Sequence, residues 1–404
     1  MGKNVIVAQS GGPTAVINAS LAGVVRSAKE HGLGKVYGAI HGVEGVMSAD
    51  FIDLTAEFNS EEKLNLLAHT PAAYLGTCRH KLPAEGDEVL AEIFKIFEKH
   101  DIGFFFYIGG NDSMDTVDKL AKYAQKIGSD VKIVGVPKTI DNDLAITDHT
   151  PGFGSAAKYV ATSMREIILD SKVYDINTLT IVEIMGRNAG WLTASAALAR
   201  TGKDIAPHMI YLPEVAFDVD KFLADLEKAI EKHRNVVVAI SEGLKTADGR
   251  YLCWFNANEM PTDAFGHIQL TGAAISLAEI VKKRIKVKVR AIELSLLQRS
   301  AGHIASEVDA REAEKIGEAA VTAAMAGKSG IMMYFKRLSG RKYEAEICDH
   351  DVSGIANTEK KVPREWINPA GNDVKQELVD YIKPLIEGES MPDFEGGLPL
   401  YISR

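Results

Sequence analysis

The hexapeptide Lys138-Thr139-Ile140-Asp141-Asn142-Asp143 packs a cation, a hydroxyl and two carboxylates into one short loop. Phosphoryl transfer asks for such a set: a cation on the developing charge of the transferred group, and a carboxylate placed to accept the proton of an attacking hydroxyl. An exposed Asx-rich turn would give a similar string. Upstream, Gly109-Gly110 is followed by the polar run Asn111-Asp112-Ser113-Met114-Asp115-Thr116, which can hold metal and phosphate. Ser113 or Asp112 can equally N-cap the helix continuing through Val117 and Leu120. In Gln9-Ser10-Gly11-Gly12-Pro13-Thr14 the glycines let backbone N–H groups approach a phosphate at a helix N-terminus, or simply make a tight turn. Arg79, Arg187, Arg290 and Arg299 are candidates for a phosphate clamp, because the guanidinium fork matches phosphate oxygens with paired hydrogen bonds.

Other strings carry less. Gly327-Lys328-Ser329 mimics the end of a Walker A loop, but Thr322 stands where its first glycine belongs. Gly152-Phe153-Gly154 has Ala157 in place of the third glycine of a dinucleotide fingerprint, so NAD is not indicated. The basic run Lys282 to Lys288 reads as a solvated helix end and edge strand. His267, without a second histidine at ligand spacing, reads as a hydrogen-bonded structural histidine.

Short β-branched and aromatic runs must position these loops: Val5–Ala8, Val36–Ile40, Ile102–Ile108, Val131–Val136, Leu179–Met185, Val236–Ile240 and Val289–Leu297. Longer amphipathic stretches separate them, which predicts parallel strands with crossover helices. Nearly every run ends in small or charged residues, and in an open α/β sheet the carboxyl ends of strands are where ligands bind. The Gly/Pro-rich stretch Thr150–Gly154 suits a crossing between two lobes. The tail beyond about Asp349, with Pro363, Pro369, Pro384, Pro392 and Pro399, reads as a wrapping extension rather than a further α/β unit.

Composition narrows the partners. In 404 residues, 46 basic side chains oppose 55 acidic ones, and the formal charge of −9 offers no broad attraction to nucleic acid or anionic membrane. Cys78, Cys253 and Cys348 form no CxxC pair, which suggests a reducing compartment. No apolar stretch approaches about 18 residues, and the chain opens directly on a strand-like run, so a cytoplasmic location is expected.

Taken together, the loops resemble the phosphofructokinase family. The strings QSGGPTAVIN, GTCR, GGNDS, PKTIDND, VEIMGRNAGWL, AISEG and LLQRSAG follow the family's order, and only the tail lies outside them. The resemblance implies two doubly wound, mainly parallel α/β/α lobes with a C-terminal extension. Residues 1–152 and about 298–348 would carry the phosphoryl donor, and 153–297 with about 349–404 the sugar phosphate. It implies Asp141 as the base for the 1-hydroxyl of fructose 6-phosphate, with Lys138 and Asp112 beside the reaction. Gly12, Arg79 and Ser113 would hold the donor; Thr139, Ile140, Met185, Gly186, Arg187, Glu242, Arg290 and Arg299 the sugar phosphate; Asn111, Asp112 and Asp143 a Mg²⁺ ion. Arg290 would reach the site of a neighbouring subunit in a homodimer or homotetramer.

Asp112 and Lys138 stand where ATP-using members place glycine. A carboxylate about 4 Å from a nucleotide α-phosphate repels it by roughly 4 kcal/mol at an effective dielectric near 20, roughly a thousandfold in affinity. An ammonium suits an inorganic donor that lacks adenosine contacts, so reversible transfer from pyrophosphate is expected. An ATP-dependent enzyme with Asp112 turned away from the donor is the alternative. A catalytically silent sensor, suggested by neutral Asn111 where relatives carry aspartate, is another, although a sensor has no use for Asp141. Leu296 replaces a polar ring residue common in relatives, which implies a relaxed sugar preference extending to sedoheptulose 7-phosphate.

Overall fold

Strands that are apolar on both faces are satisfied only when helices cover each side, and the chain meets that requirement twice. The structure, a computed structural model, describes residues 2–83, 88–173, 175–255, 270–340, 342–356 and 358–404; His267 lies outside the described residues. The first sheet draws on β1 (Asn4–Gln9), β2 (Val36–Ala39), β3 (Phe51–Asp53), β4 (Ile102–Gly109) and β5 (Lys132–Pro137). The second is formed by β6 (Thr178–Ile184), β7 (Met209–Tyr211), β8 (Asn235–Ser241) and β9 (Lys288–Glu293). After the two-residue β10 (Ala305–Ser306), β11 (Ile331–Arg337) and β12 (Ala345–Asp351) return to the first sheet.

The first sheet runs β12-β11-β5-β4-β1-β2-β3, parallel except for its two outermost strands, and the second runs β7-β8-β6-β9, wholly parallel. The parallel strands and crossover helices are those that the alternating pattern predicts, and the α/β architecture is the one that the family resemblance implies. The run Val289–Leu297 is shorter as a strand than expected. Ser295 turns the chain at φ 48°, and Arg299 rides instead on the helical turn Leu297–Ser300. The strands β3, β7, β11 and β12 are absent from the sequence reading.

The helix Phe153–Ser171 carries the chain from one sheet to the other. Its N-terminus is held by Asp309, whose carboxylate accepts from Gly152 N–H at 2.9 Å and Ser155 N–H at 2.8 Å. Gly152 sits at φ 104°, where a side chain would be strained and would strike Thr14. The tail touches both lobes. Val352 and Ile355 join Phe105 and Met114 in a core of the first sheet, while Val362, Ile367, Leu378 and Ile382 pack with Phe153, Val160 and Met164 beside the second. Among the described residues, no helix is long and apolar enough to cross a membrane.

Candidate active site

The carboxyl ends of β1, β4, β5, β6 and β8 open onto one cleft of about 830 Å³. Its lining brings together Gly12, Arg79, Asn111, Asp112, Ser113, Lys138, Thr139, Ile140, Asp141, Asp143, Met185, Arg187, Glu242 and Arg299. Segments more than two hundred residues apart in sequence meet there because the parallel sheets send every strand's end to the same side.

The loop after β1 differs from a helix N-terminus. The following helix begins only at Ile17, so Gly11 and Gly12 lie in a connecting loop, with Gly11 at φ 79°. Lys138 reaches across to this loop, its Nζ donating to the Gly12 carbonyl at 2.6 Å. A Cβ at Gly11 would lie 3.1 Å from that Nζ, and one at Gly12 would lie 3.4 Å from the Arg299 guanidinium. The loop is thus bare where the cations come closest.

After β4 the helix Asn111–Ile127 starts directly, with Gly110 as its N-cap. Neither Asp112 nor Ser113 caps it; both lie in its first turn, where N–H groups without intrahelical partners make an anion-binding end. Asp112 is half out of the cleft and ion-pairs with Lys81 at 3.0 Å. The sequence reading treats its charge as isolated; Lys81 offsets it, so the bare repulsion of a nucleotide is smaller than a lone carboxylate would give.

The loop after β5 is a built structure rather than a solvated turn. Lys138 is 2 % exposed. Burial pulls its ammonium down to about 8, against the raising influence of Asp141. Asp141 N–H donates to Thr139 Oγ1 at 3.1 Å, and the Asp141 side chain lines the cleft. Burial raises Asp141 above the usual carboxylate range, while Lys138 and Arg187 draw it back. Burial and Asp141 push Asp143 up to about 7.

The opposing wall comes from the second sheet. Gly186, at φ 134°, donates its N–H to Glu242 Oε1 at 3.4 Å. A Cβ on Gly186 would meet the Ala189 carbonyl at 2.6 Å, so the turn needs glycine. Burial and Asp141 raise Glu242 to about 8, leaving a neutral carboxyl that both donates and accepts at neutral pH. Met185 N–H is tied to Gln298 Oε1 at 3.0 Å, joining the turn to the segment that carries Arg299. Arg290 is not in the cleft. It lies on β9, the exposed edge of the sheet, hydrogen-bonded to Asp170 at 2.5 Å.

A divalent ion fits one corner. Asn111 Oδ1 is buried with no hydrogen-bond partner, and Asn111 Nδ2 reaches Asp143 Oδ2 at 3.4 Å. Among the described residues no three His, Cys, Asp or Glu side chains gather as a metal cage. Mg²⁺ needs none, because it takes one or two carboxylates and completes its shell with water and substrate phosphate. Asn111 Oδ1 and the Asp143 carboxylate are the hard oxygen donors available; Asp112 is engaged by Lys81.

Sequence reasoning misses the tail's share of the cleft. Glu359 and Lys361 line it, and Glu359 accepts from Asn188 Nδ2 at 2.7 Å. Lys360 lies beneath, donating to Asn142 Oδ1, Thr147 O and Asp148 O. The pair Lys360-Lys361 is visible in the sequence, but only the fold brings it 218 residues back to the loop.

A two-lobed α/β fold with lysine, arginines and carboxylates converging at its strand ends defines a phosphoryl-transfer protein. The phosphofructokinase family model matches residues 4–324, and the chain belongs to that family. The pyrophosphate–fructose 6-phosphate 1-phosphotransferase of Xanthomonas campestris is 42% identical, covering 99% of this chain and 96% of the relative. Its counterpart from Halomonas elongata is 41% identical over 98% and 94%. The crystal structure of a pyrophosphate-dependent phosphofructokinase from Nitrosospira multiformis aligns at a TM-score of 0.90 and 36% identity, over 100% and 96% of the two chains.

Proposed function

We propose that this chain reversibly transfers a phosphoryl group from pyrophosphate to the 1-hydroxyl of fructose 6-phosphate, with Mg²⁺, as a cytoplasmic homo-oligomer. The observation that carries the reading is Lys138: a buried ammonium on the Gly12 carbonyl, next to Asp141 and flanked by Arg299. An inorganic donor offers only phosphate oxygens for recognition, and a desolvated cation is worth most to such a ligand.

Asp141 takes the proton of the 1-hydroxyl as its oxygen attacks the near phosphorus of pyrophosphate. The new C1–O–P linkage forms while the bridging P–O bond breaks, and inorganic phosphate departs with the electron pair. Lys138 donates hydrogen bonds to the phosphoryl oxygens as charge develops, and Arg79 and Arg299 hold the phosphates on either side. Glu242 and the Met185–Arg187 turn fix the sugar so that the hydroxyl meets the phosphorus in line. Asn111 Oδ1 and the Asp143 carboxylate would hold Mg²⁺, which would supply positive charge to the donor oxygens. Without the driving force of a nucleoside triphosphate, the reaction runs in both directions.

The Asp112–Lys81 pair stands at the donor side of the cleft, and a nucleotide would have to displace it. Coupled assays with pyrophosphate and with ATP test the reading. Turnover with pyrophosphate and none with ATP is expected; clear turnover with ATP alone rejects the donor assignment.

A further inference from the structure

We infer that Lys361, in the carboxyl-terminal tail, is a phosphate-binding residue of the cleft. The inference deepens the proposed function and rests on it for the identity of the phosphate carriers.

The tail passes the catalytic loop in an extended conformation. Leu144 and Glu359 form an antiparallel bridge, and Lys360 N–H donates to the Asp143 carbonyl at 2.7 Å. Along an extended chain, successive side chains point to opposite faces. Lys360 points inward, where its Nζ donates to Asn142 Oδ1 at 3.2 Å, Thr147 O at 3.1 Å and Asp148 O at 2.6 Å. Val362, 3% exposed, points the same way, and its N–H donates to Glu214 Oε1 at 3.0 Å. Glu359 and Lys361 therefore share the other face, and both line the cleft.

The two differ in what they already hold. Glu359 is taken by Asn188. Lys361 makes no ion pair among the described residues; its charge is felt by buried Glu214, whose carboxylate it helps to stabilise. Its backbone is pinned on both sides by buried neighbours, so little backbone freedom is left to lose when the ammonium meets a ligand. The same cleft is lined by five acidic side chains, Asp112, Asp141, Asp143, Glu242 and Glu359, and both proposed substrates bring phosphate among them. Arg290, the one candidate clamp residue outside the cleft, leaves that charge to be met by others. An exposed ammonium on a pinned backbone, with its donors unspent, is suited to a phosphoryl oxygen.

The test uses the full-length chain and its Lys361→Met and Lys361→Arg variants. Dissociation constants for fructose 6-phosphate and for inorganic pyrophosphate with Mg²⁺ are measured by calorimetry, alongside KM and kcat. In Lys361→Met one of the two constants is expected to rise roughly tenfold or more, as loss of a charged hydrogen bond implies. The constant that moves names the phosphate. Lys361→Arg should recover most of the loss, and kcat should stay within about threefold. Both constants within about twofold of the parent, a shift under ~0.4 kcal/mol, overturn the inference. A parent enzyme that binds fructose 6-phosphate but does not turn over pyrophosphate defeats the donor assignment instead. Lys361 is then still decided by the sugar-phosphate titration, where an unchanged constant overturns it.

Discussion

At the scale of single residues, the chemistry rests on how burial sets charge. Lys138 titrates at about 8 and Asp143 at about 7, and the two limit the free enzyme from opposite sides. Below about 7, Asp143 holds a proton that a metal must displace, so apparent Mg²⁺ affinity should weaken by roughly tenfold per pH unit. Calorimetric Mg²⁺ titrations across this range check the slope, and a flat profile removes Asp143 from the metal site. Above about 8, Lys138 loses its charge, so kcat/KM for pyrophosphate should fall on the alkaline side. Lys138→Met should cost roughly 10²–10³ in kcat, the loss typical of removing one preorganised donor. Its residual activity should keep the acid limb of the pH profile and lose the alkaline one. A variant as active as the parent, or one that keeps both limbs, would take Lys138 out of the transfer step.

At the scale of elements, the catalytic loop is held from below by a buried polar network. His149 places Nδ1 3.0 Å from Asp148 Oδ2 and Nε2 2.7 Å from Glu312 Oε2, while its ring stacks on Phe335 at 4.6 Å. Tyr343 donates to the other oxygen of Glu312, Arg337 donates to Asp148, and Tyr381 joins Asn142 to the Asp148 carbonyl. Burial lowers the His149 pKa, but hydrogen bonds to Asp148 and Glu312 outweigh it and hold the imidazolium above its usual 6.5. The folded state thus binds this proton more tightly than the unfolded chain. Its stabilisation is complete below about 6.5 and is lost as pH rises through the folded value, by up to about 1.4 kcal/mol per pH unit. The melting temperature of the parent should therefore drop more steeply above that pH than that of His149→Gln, and parallel curves would contradict the assignment.

None of this network is legible in the sequence, because its members are spread from Asn142 to Tyr381 and only tertiary contact joins them. The strand-end loops are legible for the opposite reason: Gly110, Lys138, Asp141 and Gly186 each lie within a few residues of the end of an apolar run, so their placement depends on local order alone. The run Val289–Leu297 misleads because Leu296 and Leu297 look like strand residues, yet they are 56% and 61% exposed beyond the turn at Ser295. Lys81 and Lys361 carry no local signal either, since a lysine is an ordinary surface residue until a fold turns it toward a cleft.

At the scale of the molecule, Arg290 poses a geometric question. Among the described residues it sits on the edge strand of the second sheet, outside its own cleft, and bonds to Asp170, next to Leu169, which is 67% exposed. The edge of a sheet, with its row of backbone donors and acceptors, is a surface suited to a partner. A two-fold symmetric pair would bring the edge of one copy to the other, so that each Arg290 completes its neighbour's site. Two variants, Asp141→Ala and Arg290→Ala, each expected to be inactive alone, separate the possibilities when mixed. If Arg290 acts across the interface, a mixed pair contains one site with a native Asp141 and a native Arg290. Random reassortment of equal amounts should then restore roughly a quarter of parental activity, because half the pairs are mixed and half of their sites are whole. If Arg290 acts within its own chain, no mixed pair holds an intact site, and activity should stay at the level of the separate variants.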